Sequence, residues 1–280
     1  MCTLVPSARI PAVNRIVVIG DIHGDWMALM SALKLAKVCN RRGQWIGGRT
    51  HVVQVGDLLD RGGRGLGGSD EQSESRIIRY LLDLKIQAKK SHGDVHLLLG
   101  NHELMNVEGD FRYVSPLGMK DFQGQRAKQF KPGGIMAKQL ACNTNSVLQI
   151  GSWIFSHAGV TIDLTKKWTL EQVNEQVRDY LLGKIPKLSP QVIKAFWHRE
   201  YTTNRVCSTV KRTLRAWEAR NMAIGHTVQE QGINSMCSGS LWKVDVGMSD
   251  AFQMERRRIE VLEIIGDGTQ VKVLKSRRTT

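Results

Sequence analysis

Five places along the chain combine glycine or serine with a residue that can bind a metal ion or carry a proton. They are Gly20-Asp21-Ile22-His23-Gly24, Gly56-Asp57-Leu58-Leu59-Asp60-Arg61-Gly62, Gly100-Asn101-His102-Glu103, Ser156-His157-Ala158-Gly159 and Gly225-His226-Thr227. Carboxylate and imidazole together suit borderline divalent ions such as Mn, Fe or Zn, and no thiolate competes at these positions. Asp21 and His23 are two residues apart, on the same side of an extended strand end. The two oxygens of Asp57 can bridge a pair of ions. Asn101 offers a neutral carbonyl, and His157 and His226 offer imidazoles. Two ions ~3.5–4 Å apart can clamp a water and bring its pKa toward neutrality. Each place taken singly is ordinary, because Asp after a strand caps helices and Gly supplies positive φ. Their repetition at successive strand ends has no packing explanation.

The elements that must present these residues are legible in the same stretches. Residues 15–20, 50–56 and 95–100 are apolar, β-branched runs of the kind found in buried strands. Residues 25–38 and 74–90 carry apolar side chains at helical spacing, and Asp25 is placed to cap the first. The alternation predicts an α/β core, with ligands bound beyond the carboxyl ends of the strands. Residues 62–69 read as a glycine-rich loop. Farther on, 147–150 and 153–156 read as a hairpin, 169–182, 190–197 and 209–219 as helices, and 222–225 and 241–246 as strands. Residues 258–265 and 269–274 flank Gly266-Asp267-Gly268 and read as a terminal hairpin. No linker divides the chain.

The chain has 280 residues, is 41% hydrophobic and 6% aromatic, and so resembles a globular protein and not a disordered one. No apolar run approaches the ~18 residues of a membrane span. The first residues hold no apolar core of signal-peptide length. The cysteines, Cys2, Cys39, Cys142, Cys207 and Cys237, are odd in number and widely scattered. They suggest neither a zinc knuckle nor a disulfide framework, and a reducing, cytoplasmic setting is expected. Of the net charge of +14, residues 112–140 and 194–220 carry +5 each. Both stretches border the motifs, so they could funnel an anionic substrate or could simply be a solvated surface. Aromatic platforms for nucleic acid are a weaker reading, since most of Trp153, Trp168, Trp197, Trp217 and Trp242 look like core residues.

The ordered motifs resemble those of the calcineurin-like metallophosphoesterases. Gly20-Asp-Ile-His-Gly24, Gly56-Asp-Leu-Leu-Asp-Arg-Gly62 and Gly100-Asn-His-Glu103 are similar to the phosphoprotein phosphatase signatures. Asn101-His-Glu-Leu-Met-Asn-Val-Glu-Gly-Asp-Phe-Arg-Tyr113, Phe130-Lys-Pro-Gly-Gly134 and Trp197-His-Arg-Glu-Tyr201 most resemble the Shewanella-like protein phosphatases. The likeness spans about residues 15–250 and is specific through the order of its parts. It implies a two-sheet β-sandwich flanked by helices (αββα), in one domain over residues 15–275. Residues 1–14 would then be a short extension and residues 276–280 a basic tail.

The resemblance further implies roles. Asp21 and His23 would bind the first of two divalent ions, Asp57 would bridge, and Asn101, His157 and His226 would complete the second. His102, oriented by Asp60, would protonate the leaving oxygen. Arg61, Arg199 and Asn101 would hold the phosphate. The expected reaction is phosphomonoester hydrolysis by direct attack of a metal-bound hydroxide on a phosphorylated, anionic substrate. A phosphoprotein, and phosphotyrosine in particular, is the expected substrate. Two departures qualify this. Gly225-His226-Thr227-Val228 lacks the second His of the phosphodiesterase Gly-His-x-His motif, which favours monoesters. No Ser-Ala-Pro-Asn-Tyr stretch follows, so serine/threonine specificity does not carry over. The alternatives are a dinucleoside polyphosphate or RNA-end hydrolase, and a non-catalytic phosphate- or nucleic-acid-binding protein.

Overall fold

Two six-stranded sheets form around the runs expected to be buried strands. The computed structural model describes residues 2, 5–62, 70–201, 206–254 and 257–276. The glycine-rich run 63–69 and Arg256, Arg277 and Arg278 of the basic tail lie outside the described residues. One sheet holds β1 (Arg9–Ile10), β6 (Val147–Ile150), β7 (Trp153–Ser156), β8 (Asn221–Ile224), β9 (Asn234–Met236) and β10 (Leu241–Lys243), ordered β1-β6-β7-β8-β10-β9. The other holds β2 (Arg15–Ile19), β3 (His51–Gln54), β4 (Asp94–Leu98), β5 (Thr144–Asn145), β11 (Glu260–Ile265) and β12 (Gln270–Lys275), ordered β12-β11-β2-β3-β4-β5. Ile19, Val53 and Leu97 of one sheet and Leu148, Phe155 and Met222 of the other belong to one buried cluster.

The expected crossovers are present. α1 (Trp26–Leu35) and α2 (Glu74–Lys89) link β2, β3 and β4, which run parallel. Asp25 caps α1, its Oδ1 accepting from the Ala28 N–H at 2.7 Å. α2 buries Ile77, Ile78, Leu81 and Leu84 at helical spacing, against β4. Because β2, β3 and β4 are parallel, and β7 is parallel to β8, the motifs leave five carboxyl ends of strands. The terminal hairpin forms as expected, and its first strand pairs antiparallel with β2.

Three expectations are corrected. Residues 101–143, in which the sequence shows a motif at 101–113 and a basic stretch at 112–140 but no helices, fold into α3 (Asn101–Glu108), α4 (Pro116–Lys120), α5 (Arg126–Phe130) and α6 (Ile135–Asn143). Helices as short as α4 and α5 show too few turns for periodicity to reveal them. Residues 1–14 are not merely an extension, because β1 pairs with β6 and Cys2 is bonded to Cys142. A second disulfide joins Cys207 to Cys237, and Cys39 is free and buried. The absence of a disulfide framework is therefore overturned. Its partners lie 140 and 30 residues apart, and spacing alone does not reveal pairings of that kind.

The helices expected in the second half form as α8 (Leu170–Leu181), α9 (Pro190–Trp197) and α10 (Cys207–Ala216), and α7 (Ile162–Lys167) and β9 are additional. α8 packs on β6, and α7 contacts α9 and α10. No helix among the described residues is long and apolar enough to cross a membrane.

Candidate metal and catalytic centre

The backbone bends sharply where the motifs leave their strands. His23, Asp57, Asp60 and His226 all take positive φ, of 44°, 53°, 70° and 67°. Such conformations cost ~1–3 kcal/mol each and persist only where surroundings hold them. Glu103 supplies much of that support. Its carboxylate accepts from the N–H groups of Asp57, Leu58 and Leu59 at 2.9, 2.9 and 3.2 Å, and from Gly100 at 2.7 Å. The Glu74 carboxylate likewise accepts from the Asp60 N–H at 2.9 Å. Gly100 has to be glycine because a Cβ there would lie 2.8 Å from the Asp57 carboxyl carbon.

These bends converge on a cavity of about 490 Å³ lined by His23, Asp57, Asn101, His102, Arg199, His226 and Asp245 together with aromatic residues. Asp57 lies at its centre. Its Oδ2 is 3.4 Å from His157 Nε2, 3.6 Å from His23 Nε2 and 3.9 Å from His102 Nε2. His157 Nε2 also lies 2.8 Å from Asn101 Oδ1 and 3.2 Å from His226 Nδ1. The opposite ring nitrogens are fixed by backbone carbonyls, His23 Nδ1 by Leu59 and His157 Nδ1 by Val55, both at 3.0 Å. That arrangement places an N–H on Nδ1 and turns Nε2 inward.

The donor set fits cations. Potential ligand atoms of Asp57, Asn101, His157 and His226 converge at contact distance, an arrangement suited to a bound positive charge. Two groups of three converging donors are present, His23 with Asp57 and His102, and Asp57 with His157 and His226. Burial drives the carboxyl pKa of Asp21 well up, and the nearby Asp245 and Asp57 charges add to this. Burial also raises Asp245 to about 6 and Glu103 to about 7. Burial and the neighbouring His157 lower His226 to about 3, so it is a neutral donor. In Asp57, burial opposes ionisation, but His157 and His102 outweigh it and hold the carboxyl well below its usual range.

Most expected site residues are brought together, with exceptions. Asp21 is buried beside the centre, yet its carboxylate accepts from the His226 N–H at 3.1 Å and contacts Asp245; it belongs to neither three-donor group. Arg199 is exposed on the cavity and bonds the His226 carbonyl and Thr227 Oγ1, both at 3.2 Å. Arg61 does not line the cavity. Its guanidinium is buried and paired with Asp25 at 2.7 Å, because a buried cation needs a counter-charge. His102 Nδ1 is 2.7 Å from Asp60 Oδ2 as expected, with Nε2 on the cavity side.

Sequence reasoning gave no role to Glu103, Glu74, Asn106, Arg126 or Asp245. Glu103 carried one usable signal, since it stands at the third helical position after Gly100, where Glu reaches back to N-terminal N–H groups. Asp245 follows a short strand with no glycine before it. Of the residues in the first basic stretch, Arg126 is fully buried and does not contribute to a surface field.

Residues 14–229 match the family model of the calcineurin-like phosphoesterases, and the chain belongs to that family. It is a hydrolase acting on phosphoesters, in a metal-dependent family. The chain is 30% identical to Shewanella-like protein phosphatase 2 of Arabidopsis thaliana, over 87% of this chain and 73% of that one. It is 28% identical to Shewanella-like protein phosphatase 1 of Plasmodium berghei, over 84% and 67%. Its fold is similar to that of a cold-active protein tyrosine phosphatase of a psychrophilic Shewanella species. The TM-score is 0.75 at 21% identity, covering 97% of this chain and 83% of that one.

Proposed function

We propose that the protein is a two-metal phosphomonoesterase acting on phosphorylated proteins, with phosphotyrosine favoured. The observation that carries this reading is the position of Asp57, whose carboxylate stands between two groups of donors. Asp21, His23 and Asp57 would hold one ion, and Asp57, Asn101, His157 and His226 the other; Mn, Fe and Zn all suit the set. Two such ions would supply a nucleophilic water at neutral pH and offset part of the phosphoryl charge.

The residues themselves bind, orient and protonate. Arg199 presents its guanidinium to the phosphate oxygens from the cavity rim. Asn101 turns its carbonyl inward and holds the second site's geometry. His102, its Nδ1 held by Asp60, offers Nε2–H to the leaving oxygen. Glu103 holds the bent backbone at Asp57 that brings these groups within reach of one another.

Phosphotyrosine is favoured by the cavity rim, where Tyr113, Trp197 and Phe252 stand edge-on to His102, His226 and His23. A planar ester can lie against such rings. The likeness to Shewanella-like phosphatases supports a phosphoprotein substrate. We also place the whole of residues 9–275 in one domain, with β1 included. The cytoplasmic expectation rested on the scattered cysteines and on first residues without a signal-peptide core; the two disulfides count against the first of these grounds and favour an oxidising setting.

The test is metal analysis and p-nitrophenyl phosphate turnover of the wild type and Asp57→Asn. Close to two ions per wild-type chain are expected, fewer in the variant, and a rate lower by orders of magnitude. Full activity of Asp57→Asn, or of chelated protein, would sink the two-metal reading. A higher kcat/KM for a phosphoserine peptide than for its phosphotyrosine counterpart would refute the specificity. Faster hydrolysis of diadenosine polyphosphate than of either peptide would make the nucleotide hydrolase the correct assignment.

A further inference from the structure

Behind His102 lies a cluster of buried charges that the metal chemistry does not use. Arg126, at the start of α5, has a fully buried side chain. Its Nη2 is 2.9 Å from Asp60 Oδ1, and its Nη1 is 2.6 Å from Glu74 Oε2 and 3.1 Å from the Gly118 carbonyl. Its Nε donates to Asn106 Oδ1 at 2.6 Å, and Asn106 Nδ2 in turn donates to Asp60 Oδ1 at 2.8 Å. The guanidinium carbon is 5.2 Å from the Phe122 ring centre and 5.4 Å from that of Phe130. The fork therefore has one preferred orientation, set by rings and carboxylates together.

Asp60 is the point where this cluster meets the reaction. One carboxylate oxygen faces His102 and the other faces Arg126 and Asn106. Glu74 closes the ring, since it bonds Arg126 through one oxygen and the Asp60 backbone through the other. We propose that Arg126 is a positioning residue for leaving-group protonation: by clamping Asp60 it fixes the His102 ring, and it links the short helices of residues 110–143 to that step. This rests on the assignment of His102 as the acid under Proposed function. Burial of an arginine is costly, and its fork geometry here is matched to one carboxylate whose other oxygen serves an imidazole.

The experiment compares Arg126→Lys, and Arg126→Met combined with Glu74→Gln, against the wild type and Glu74→Gln alone. The paired substitution removes both members of an ion pair, which buried sites tolerate better than the loss of one. Each variant is made with His102 intact and in a His102→Asn background. Metal content, KM and kcat are measured on p-nitrophenyl phosphate and on an alkyl phosphate, whose poorer leaving group depends more on an acid. Loss of general-acid catalysis costs typically ~10²–10⁴-fold, so a misplaced acid should lower kcat on the alkyl ester by about 10–10²-fold and on p-nitrophenyl phosphate by less than about threefold. Metal content and KM should hold, Arg126→Lys should lose less than the paired variant, and neither should lose further rate once His102 is Asn.

Equal losses on the two esters, accompanying metal loss, or losses that add in full to that of His102→Asn overturn the proposal. If the paired variant does not fold, Arg126→Lys carries the same readouts. If His102→Asn itself shows no dependence on the leaving group, the acid assignment falls and this proposal with it. If only the Arg126 variants are indifferent, this proposal falls alone.

Discussion

Substituting Gly100 by Ala tests whether the centre depends on close approach between two strand ends. Gly100 precedes α3 with φ of −101°, so alanine meets no backbone strain there. The cost is steric. A Cβ would lie 2.8 Å from the Asp57 carboxyl carbon, whereas ordinary contact begins at 3.4 Å. Asp57 has little room to retreat, being held by Glu103 and, through its Oδ1, by the His102 N–H at 3.0 Å. Overpacking of this kind costs ~1–3 kcal/mol, or a fall in melting temperature of about 2–10 °C in a chain of this size. Misplacing a catalytic group by ~1 Å can cost ~10²-fold in rate, so kcat should fall about that much and metal occupancy with it.

Gly109→Ala is the matching control. Its φ is +79° with nothing within 4 Å of a Cβ, so the penalty is conformational. About 1–2 kcal/mol is expected, a similar thermal loss, with no change in kcat. Differential scanning fluorimetry, metal analysis and steady-state kinetics on both variants decide the matter. Wild-type kcat and metal content in Gly100→Ala would refute the close-approach account, as would an equal loss of kcat in Gly109→Ala.

Burial lowers the pKa of His96 from 6.5 to about 3, and its Nε2 lies 3.0 Å from His51 Nδ1. Its folded pKa lies below the unfolded one, so its contribution to stability is present above pH 6.5 and is lost as the pH falls toward about 3. His96→Gln should therefore lose about 2 kcal/mol less than wild type between pH 7.5 and pH 5 in urea melts; parallel losses would exclude this histidine as the cause. Reduction of Cys207–Cys237 opens a loop spanning 30 residues and should cost about 3–4 kcal/mol. Thiol titration of the unfolded, unreduced chain should find Cys39 alone, and five thiols together with no effect of reductant on melting would disprove the pairing. Association of an acidic phosphopeptide should weaken with salt, since exposed charges are screened over ~8 Å at physiological ionic strength, whereas p-nitrophenyl phosphate should respond little; equal responses would assign the basic stretches to surface alone.

What was legible in the sequence and what was not divide along physical lines. Asp21, His23, Asp57, Asn101, His157 and His226 follow apolar strands directly, so local pattern and parallel topology suffice to bring them to one end of the sheets. The pairing of Arg61 was not legible because its motif position says nothing of Asp25, 36 residues earlier. Arg126 was counted as surface charge because only the fold shows it between Asp60 and Glu74. Cys2 and Cys142 carry no local signal at all. Long-range partners of this kind are set by the completed packing, and one-dimensional spacing does not encode them.

The division of the site between two sheets sets an order in time. Asp21, Asp57 and Asn101 leave β2, β3 and β4 of one sheet, whereas His157 and His226 leave β7 and β8 of the other, strands made later in the chain. β2 gains its antiparallel neighbour only when residues 262–265 arrive. A chain emerging from the ribosome thus displays its oxygen donors, loosely held, well before its last imidazoles exist. With the ligand set proposed above, hard ions that favour oxygen would meet a half-built site with too few donors in fixed positions to retain them. Ions that favour nitrogen and oxygen together would find all their donors only in the finished molecule. Selection among metals would then belong to the closed fold, after synthesis, and to the ions that its compartment holds at that moment.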